Sequence, residues 1–399
     1  MNGPHLASKK DCTGCLACVD SCVRSALSKI IGTDGHIYIQ CDESQCVLCH
    51  KCEQVCPIVS NFSYNKSEIS KSYAAWCIDD ELRLNSASGG AFAAIADYVL
   101  DNKGVVIGAA NVGVCDIRHI AIDNKNDLIK LQGSKYTQSD TSGSYRLTLE
   151  YLKNGIDVLY SGTGCQIAGV LSFLRQKVYK GRLITIDLIC GGVPSKNLIL
   201  KFIENEPYVV KRILSFRTKE NGWKPCGFVY NMKVEDNEGG IHDYSNIRNL
   251  VTTGFSNELT ERYSCYNCRF VGTHRMSDFT LGDLWGDSLY PDQHYKGLSL
   301  IVSHNHQAEK MLKDMSMYLQ IAPCDFDSAQ SVNFRLVRGK NARQYTLERI
   351  LLSYLFSSCS YNTIKKIYAG SHSCLSIWTL WSLLRRVYIK ILNKFLLLL

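Results

Sequence analysis

Apolar and polar positions along this chain change rhythm several times, and the changes predict elements. Residues 60–72, "SNFSYNKSEISKS", form a polar stretch that reads as a linker. After it, "NSASGGAFAAIADYVL" (85–100) predicts a helix opened by a turn of small residues. The unbroken apolar run "GVVIGAANV" (104–112) suits a buried strand. Further on, "DVLYSG" (157–162) predicts a strand, "QIAGVLSFLRQK" (166–177) a helix and "RLITIDLIC" (182–190) a second strand. Strand, helix and strand in that order imply parallel strands joined by a right-handed crossover. "GLSLIV" (297–302) is strand-like, so His304 and His306 just after it read as markers of a turn or helix cap rather than as metal ligands. In "DFTLGDLWG" (278–286), Asp278 and Asp283 read as structural aspartates of a short turn, the alternative being acid/base groups.

The last segment, "IWTLWSLLRRVYIKILNKFLLLL" (377–399), is too interrupted by charge for a transmembrane span. Ser382, Arg386, Lys390 and Asn393 recur at helical spacing as one narrow polar stripe. A basic amphipathic helix flanked by aromatics suits the plane of an anionic membrane surface; packing on the body or on a partner subunit is the alternative.

Charge sharpens this division. The chain has 399 residues and a formal net charge of +8. From Arg349 to Leu399 there are seven basic residues and no acidic one, so the remainder is close to neutral. A basic footprint for nucleic acid is absent from the body. The length allows two or three domains. No apolar leader precedes the first cysteine, so the expected location is cytoplasmic, with a peripheral contact at the inner face of the membrane through the tail.

Cysteine is the anomaly of the composition, at 19 residues. In a cytosolic chain clustered cysteines read as metal or redox ligands. Cys12, Cys15, Cys18 and Cys22 have the spacing C-x-x-C-x-x-C-x-x-x-C; Cys46, Cys49, Cys52 and Cys56 repeat it, with Pro57 following. A short turn presents three sulfurs to one face of a cubane, and the fourth cysteine of each run serves the other cluster in two-cluster ferredoxins. The expected ligand sets are therefore Cys12, Cys15, Cys18 and Cys56 for one 4Fe–4S cluster, and Cys46, Cys49, Cys52 and Cys22 for a second. A zinc module would use two separated C-x-x-C pairs instead. The segment resembles bacterial-type ferredoxin domains, except that Val23 stands where proline usually follows the fourth cysteine. Cys41, needed by neither set, reads as packing.

Other cysteines lie far apart. Cys165 and Cys190 each fall just beyond the end of a predicted strand, and the crossover makes those ends neighbours, at the edge where open α/β sheets bind ligands. Cys265 and Cys268 form a C-x-x-C pair in "RYSCYNCRF". Together they would make a four-thiolate site; as residues alone, Cys165 and Cys190 read equally well as small buried hydrophobes. Likewise Ser86, Ser88, Gly89 and Gly90 at a helix start could hold a phosphate or simply cap the helix.

A resemblance favours the first reading. "SASGGAFAAIADYVL", "QGSKYTQSD" (132–140), "YSGTGCQIAGVLSFL" (160–174), "IDLICGGVPS" (186–195), "FRTKENGW" (216–223) and "SCYNCRFVGTHRMSDFTLGDLWG" (264–286) occur in that order. The chain resembles the coenzyme F-420 (deazaflavin) hydrogenase/dehydrogenase beta-subunit family over roughly residues 72–345. Members are iron–sulfur flavoproteins that use FAD to pass electrons between clusters and a two-electron carrier. The resemblance implies a third 4Fe–4S cluster on Cys165, Cys190, Cys265 and Cys268. It implies flavin contacts at Ser88, Gly89 and Gly90, with flavin- or substrate-pocket roles for Ser134, Lys135, Tyr136, Thr163, Gln166, Arg217 and Lys219. Two departures stand out: Gly164 replaces the proline of G-T-P-C, and Gly191 the histidine of C-H-G. They put the electron acceptor in doubt more than the cofactors.

The expected architecture is α+β. A ferredoxin domain (1–60) and a linker (61–72) precede a larger mixed α/β flavin and iron–sulfur domain (73–345, in parts 73–155 and 156–345) and a basic helical tail (346–399). The expected function is oxidoreduction, with a redox partner protein or low-potential donor on one side and a deazaflavin, a nicotinamide or an organic substrate on the other. An electron-transfer subunit without its own substrate is the alternative from another class. A degenerate scaffold lacking flavin is a third, kept open by Gly164 and Gly191.

Overall fold

The computed structural model describes residues 3–63, 70–217, 219, 223, 232–244, 250–256, 258–273, 275–285, 290–337 and 354–372. The amphipathic segment 377–399, His274, the middle of the 60–72 stretch and half of "FRTKENGW" lie outside the described residues.

An eight-stranded mixed sheet organises the molecule. Its strands are β3 (Lys71–Cys77), β4 (Val105–Gly113), β5 (Asp116–Ile122), β6 (Val158–Thr163), β7 (Leu183–Leu188), β11 (Phe279–Asp283), β12 (Ser299–Ser303) and β13 (Leu319–Cys324). They run in the order β13-β3-β12-β11-β7-β6-β4-β5. The four central strands β4, β6, β7 and β11 are parallel, and β12, β13 and β5 pair antiparallel with their neighbours. The expected strand–helix–strand unit is present, with the helix Gly164–Leu174 between β6 and β7. That helix starts two residues early because Thr163 and Gln166 form a capping box.

Central strands buried on both faces explain the apolar runs that marked them. Along β6, Leu159 faces the helix Ala91–Asp101, while Val158 and Tyr160 face the helices Ser144–Lys153 and Gly164–Leu174. The stretch "DFTLGDLWG", read as a turn, is in fact the strand β11 and the residues after it. Its Thr280 and Leu281 pair with Asp187 and Leu188, so sheet position overrode the Gly–Asp turn signal. Asp278 is structural, as read: its carboxylate accepts from Thr185 N (2.8 Å), Thr185 Oγ1 (2.7 Å) and Asn305 Nδ2 (2.8 Å). Asn305 caps the helix His306–Asp314, between the two histidines read as cap markers.

A three-stranded antiparallel sheet, β8 (Val210–Ser215), β9 (Met232–Asp236) and β10 (Ile241–Tyr244), packs with the helices Lys196–Glu204 and Tyr361–His372 around Phe202 and Ile199. The N-terminal segment carries a hairpin of β1 (Leu27–Ile31) and β2 (Ile37–Cys41) and two short helices, Ala17–Ser21 and Lys51–Gln54.

This segment is bolted to the sheet. The helix Ser144–Lys153 starts at Gly143, which has no side chain to cap it. Asp20 does so from the N-terminal segment, accepting from Gly143 N (2.7 Å) and Tyr145 N (3.1 Å). Thr141 Oγ1 and Tyr145 OH both donate to Cys15 O, each at 2.7 Å. Ser195 and Asn197 hold the hairpin turn through Asp34 O and Thr33 O.

Candidate functional site

Both N-terminal cysteine runs adopt the same unusual backbone. Gly14 and Leu16 between the first three thiols have φ of 66° and 63°; Leu48 and His50, at the matching places of the second run, have 51° and 57°. Three of these four carry side chains, for which left-handed backbone is uncommon. A repeat of it at equivalent positions fits two loops curled around the same kind of object. Burial raises the Cys15, Cys18 and Cys56 thiols, and neighbouring sulfurs, that of Cys12 among them, raise them further; Cys15 is pushed up to about 12. Gly14 N donates to Cys12 Sγ at 3.4 Å. In the second run Cys52 is pushed up to about 11 by burial, with Glu53 and Cys49 adding to it. Cys41 packs against Cys18, Leu27 and Cys52.

Cys165, Cys190, Cys265 and Cys268 also meet. Cys165 stands in the first turn after β6, and Cys190 two residues past β7. A bridge between Pro194 and Glu261, with Arg262 N donating to Val193 O (2.9 Å), brings the C-x-x-C turn alongside Cys190. Burial is the main force raising the Cys165, Cys265 and Cys268 thiols, and the neighbouring sulfurs raise them further; Cys265 and Cys268 each reach about 12. Among the described residues no three His, Cys, Asp or Glu side chains are gathered tightly for a metal ion. Gly192 N donates to Cys190 Sγ at 3.3 Å, and Thr163 Oγ1 lies 3.1 Å from Cys165 Sγ.

Behind these thiols runs a buried polar brace. Asp187 on β7 accepts from Arg275 Nη1 (3.0 Å), Ser277 Oγ (2.9 Å) and Thr280 Oγ1 (2.5 Å). Arg275 in turn donates to Gly272 O and Phe270 O, fixing the strand of chain that follows Cys268.

A cavity of about 540 Å³ opens at this edge of the sheet. That volume is within the range of roughly 300–1,000 Å³ usual for ligand and cofactor sites. Cys165 and Cys190 line it, as do Thr13 and Gly14 from the first cysteine loop. So do Ser86, Ser88, Gly90 and Ala91 at the start of the helix Ala91–Asp101. That helix has Gly90 at its N-cap (φ 85°) and no side-chain cap, so its first turn offers backbone N–H groups to an anion.

The remaining candidates divide. Ser134, Lys135, Tyr136, Thr163, Gln166 and Arg217 line the cavity; Gly89 and Lys219 do not. Gly89 is pressed against the backbone of Ala75 and Ser299, leaving no room for a Cβ. Lys219 donates to the carbonyls of Arg83, Ser88 (2.7 Å) and Lys296 (3.0 Å), so it holds the serine–glycine turn from behind. Lys135 reaches Leu131 O (2.9 Å) and Gln132 O (2.7 Å), and burial lowers its pKa to about 7. Arg217 grips Asp283 with two bonds (2.8 and 2.7 Å) and also donates to Ala87 O.

Sequence reasoning missed three cavity or seam residues. His119, on β5, bonds Ser139 Oγ (2.8 Å) and Ser161 O (3.0 Å), stacks on Tyr160, and burial lowers it to about 4. Arg335 occupies the space beside Gly191, where any Cβ would overlap its Nη1. Arg262 lies between the first cysteine loop and the C-x-x-C turn. Only Arg262 carried a signal, its place three residues before Cys265.

A mixed α/β sheet thus carries, at the edge of its parallel strands, a ligand-sized cavity lined by Cys165 and Cys190. Models of the coenzyme F420 hydrogenase/dehydrogenase beta subunit match the chain, the N-terminal model over residues 72–145 and the C-terminal model over 156–327. The chain belongs to that family. Among solved structures it is similar to a chain of the F420-reducing [NiFe] hydrogenase complex from Methanosarcina barkeri. Identity there is 14%, with 68% of this chain and 90% of that chain covered and a TM-score of 0.46. No curated protein matches.

Proposed function

We propose that the protein is an iron–sulfur flavoprotein oxidoreductase. Its residues 1–60 act as a two-cluster ferredoxin domain, Cys165, Cys190, Cys265 and Cys268 hold a third 4Fe–4S cluster, and FAD occupies the cavity. The observation that carries this reading is the shared cavity: thiols of the third set, the first cysteine loop and an open helix N-terminus all face it. When bound, the flavin supplies the exchange between one- and two-electron chemistry. The chain's own part is positional. Ser86, Ser88, Gly90 and Ala91 receive the diphosphate, Lys219 and Arg217 hold that turn in place, and His119, kept neutral by burial, fixes Ser139 and Ser161 in the wall.

The substrate is a two-electron carrier such as a deazaflavin or a nicotinamide, with a low-potential donor protein as partner. A second reading, an electron-transfer subunit of a larger enzyme, draws on the family's description as a beta subunit. Turnover of a soluble acceptor by the isolated chain supports the first; a tight partner and no such turnover supports the second. Among the described residues no helix is long and apolar enough to cross a membrane. For the tail we propose a peripheral contact, which deletion of residues 375–399 tests: unchanged partition between membrane and soluble fractions would sink it.

The deciding measurement is iron, acid-labile sulfide and flavin per chain after anaerobic purification. About twelve irons and one FAD are expected at four irons per cubane. About eight irons without flavin would leave only the N-terminal sets functional.

A further inference from the structure

A buried arginine stands in the seam between the first cysteine loop and the C-x-x-C turn. The Arg262 side chain is buried, at 1% exposure for the residue. Its Nε donates to Cys12 O (2.6 Å), and its Nη1 to Ile37 O (2.7 Å) and Gln138 Oε1 (3.3 Å). The guanidinium lies 4.4 Å from the centre of the Tyr38 ring. Each of these partners is neutral, and among the described residues Nη2 has no hydrogen-bond partner and Arg262 forms no ion pair. The nearest carboxylate in sequence, Glu261, is engaged by Tyr266 OH (2.8 Å) and Thr260 N (3.1 Å). Lys9 and Lys10 approach the rings of Tyr38 and Tyr263 and add positive charge. A guanidinium is always charged and costly to bury without a counter-charge. The seam therefore pairs it with something anionic, and the groups on either side of it are two sets of four cysteines.

We propose that Arg262 is a positioning residue with an electrostatic task. It holds the inner ferredoxin cluster site (Cys12, Cys15, Cys18, Cys56) against the third site (Cys165, Cys190, Cys265, Cys268). Its charge raises the reduction potential of both relative to the outer site (Cys22, Cys46, Cys49, Cys52). With clusters held at these cysteines, the outer site would receive an electron from an external low-potential one-electron donor, and the higher potential set by Arg262 would favour its passage to the inner sites, two such electrons reducing the two-electron carrier in the cavity. Placement supports that order. The first loop touches the cavity through Thr13 and Gly14, whereas Cys49 and the neighbouring Val47 and Leu48 are exposed on the outside. A reduced cluster carries one more negative charge, so a fixed buried cation beside its site stabilises it, while a distant cluster feels it little.

This inference rests on the three-cluster reading, and its test separates the two. Anaerobic, EPR-monitored redox titration of the holoprotein is performed on wild type, Arg262→Gln, Arg262→Lys and Gln138→Glu. The last leaves the arginine in place but sets a carboxylate against it, and so serves if Arg262→Gln does not fold. With iron content equal to wild type, Arg262→Gln and Gln138→Glu should move two of the three midpoints to more negative values and leave the third unchanged; Arg262→Lys should return them toward wild type. Unchanged midpoints at full iron content, or an equal shift of all three, overturn the role of Arg262 while leaving the three-cluster reading standing. A wild-type protein with fewer than three clusters overturns the reading beneath it.

Discussion

At the scale of single residues, buried groups whose charge state the fold dictates are the sharpest points of test. His119 is held neutral by burial, with a pKa of about 4 against about 6.5 for an unperturbed histidine. Between those values the unfolded chain binds a proton that the folded chain does not, so stability falls as pH drops from 6.5 to 4. His304, lowered to about 4 mainly by burial, contributes with the same sign. Urea unfolding at pH 7 and pH 5 should therefore show a smaller acid loss in His119→Gln than in wild type; an equal loss would remove His119 from the account. Gly191 is a steric test. A methyl there meets the end of the flexible Arg335 side chain, which must swing aside, so Gly191→Ala should cost no more than about 1 kcal/mol. Adding Arg335→Ala should recover part of that cost in thermal unfolding, and strict additivity would show that the overlap lies elsewhere.

Elements are joined by side chains acting far from their own position in the chain. Asp20 caps the helix Ser144–Lys153 across 123 residues of sequence. Asp20→Ala should cost roughly 1–2 kcal/mol in urea unfolding, the usual loss for a cap; a change within a few tenths would mean that water replaces it freely. Arg275 and Asp187 form a buried pair with both side chains at 3% exposure. Arg275→Ala leaves a buried carboxylate and should cost about 3–5 kcal/mol. If the proposed third cluster is present, it should also lower iron by about four atoms per chain, one cubane, while the two proposed N-terminal sites keep theirs. A uniform loss of iron from every site would indicate general unfolding instead. The sheet elements were largely legible in advance. The run 104–112 and the β6–helix–β7 unit appear within a residue or two at their starts, because burial on both faces leaves a continuous apolar signature. β11 was not, since its Gly–Asp pair imitates a turn and only pairing with β7 and β12 makes it a strand.

Over the whole molecule, the polar stretch 60–72 suggests a tethered module, yet the contacts made by Asp20, Thr141, Tyr145, Ser195, Asn197 and Arg262 tie residues 3–63 to the sheet. Hydrogen exchange should therefore show the helix Ala17–Ser21 opening with the same free energy as Gly143 and Tyr145, whose amides Asp20 accepts. Much faster exchange in the N-terminal segment alone would mean that it opens by itself.

The two N-terminal cysteine runs were readable from the amino acids alone, because i, i+3, i+6 spacing is a local property, and the two loops share left-handed backbone at Gly14 and Leu48 and at Leu16 and His50. The same holds for the small-residue helix start at 85–90. The meeting of Cys265 and Cys268 with Cys165 and Cys190 is different in kind. Sequence order alone leaves it open; the crossover from β6 to β7 and the bridge between Pro194 and Glu261 bring the thiols together. Lys219 shows the same limit. Its motif suggested a pocket contact, but which carbonyls are left unsatisfied behind the serine–glycine turn depends on three distant segments packing there. Long-range placement follows sheet register and leftover hydrogen-bonding groups, which only the assembled chain possesses.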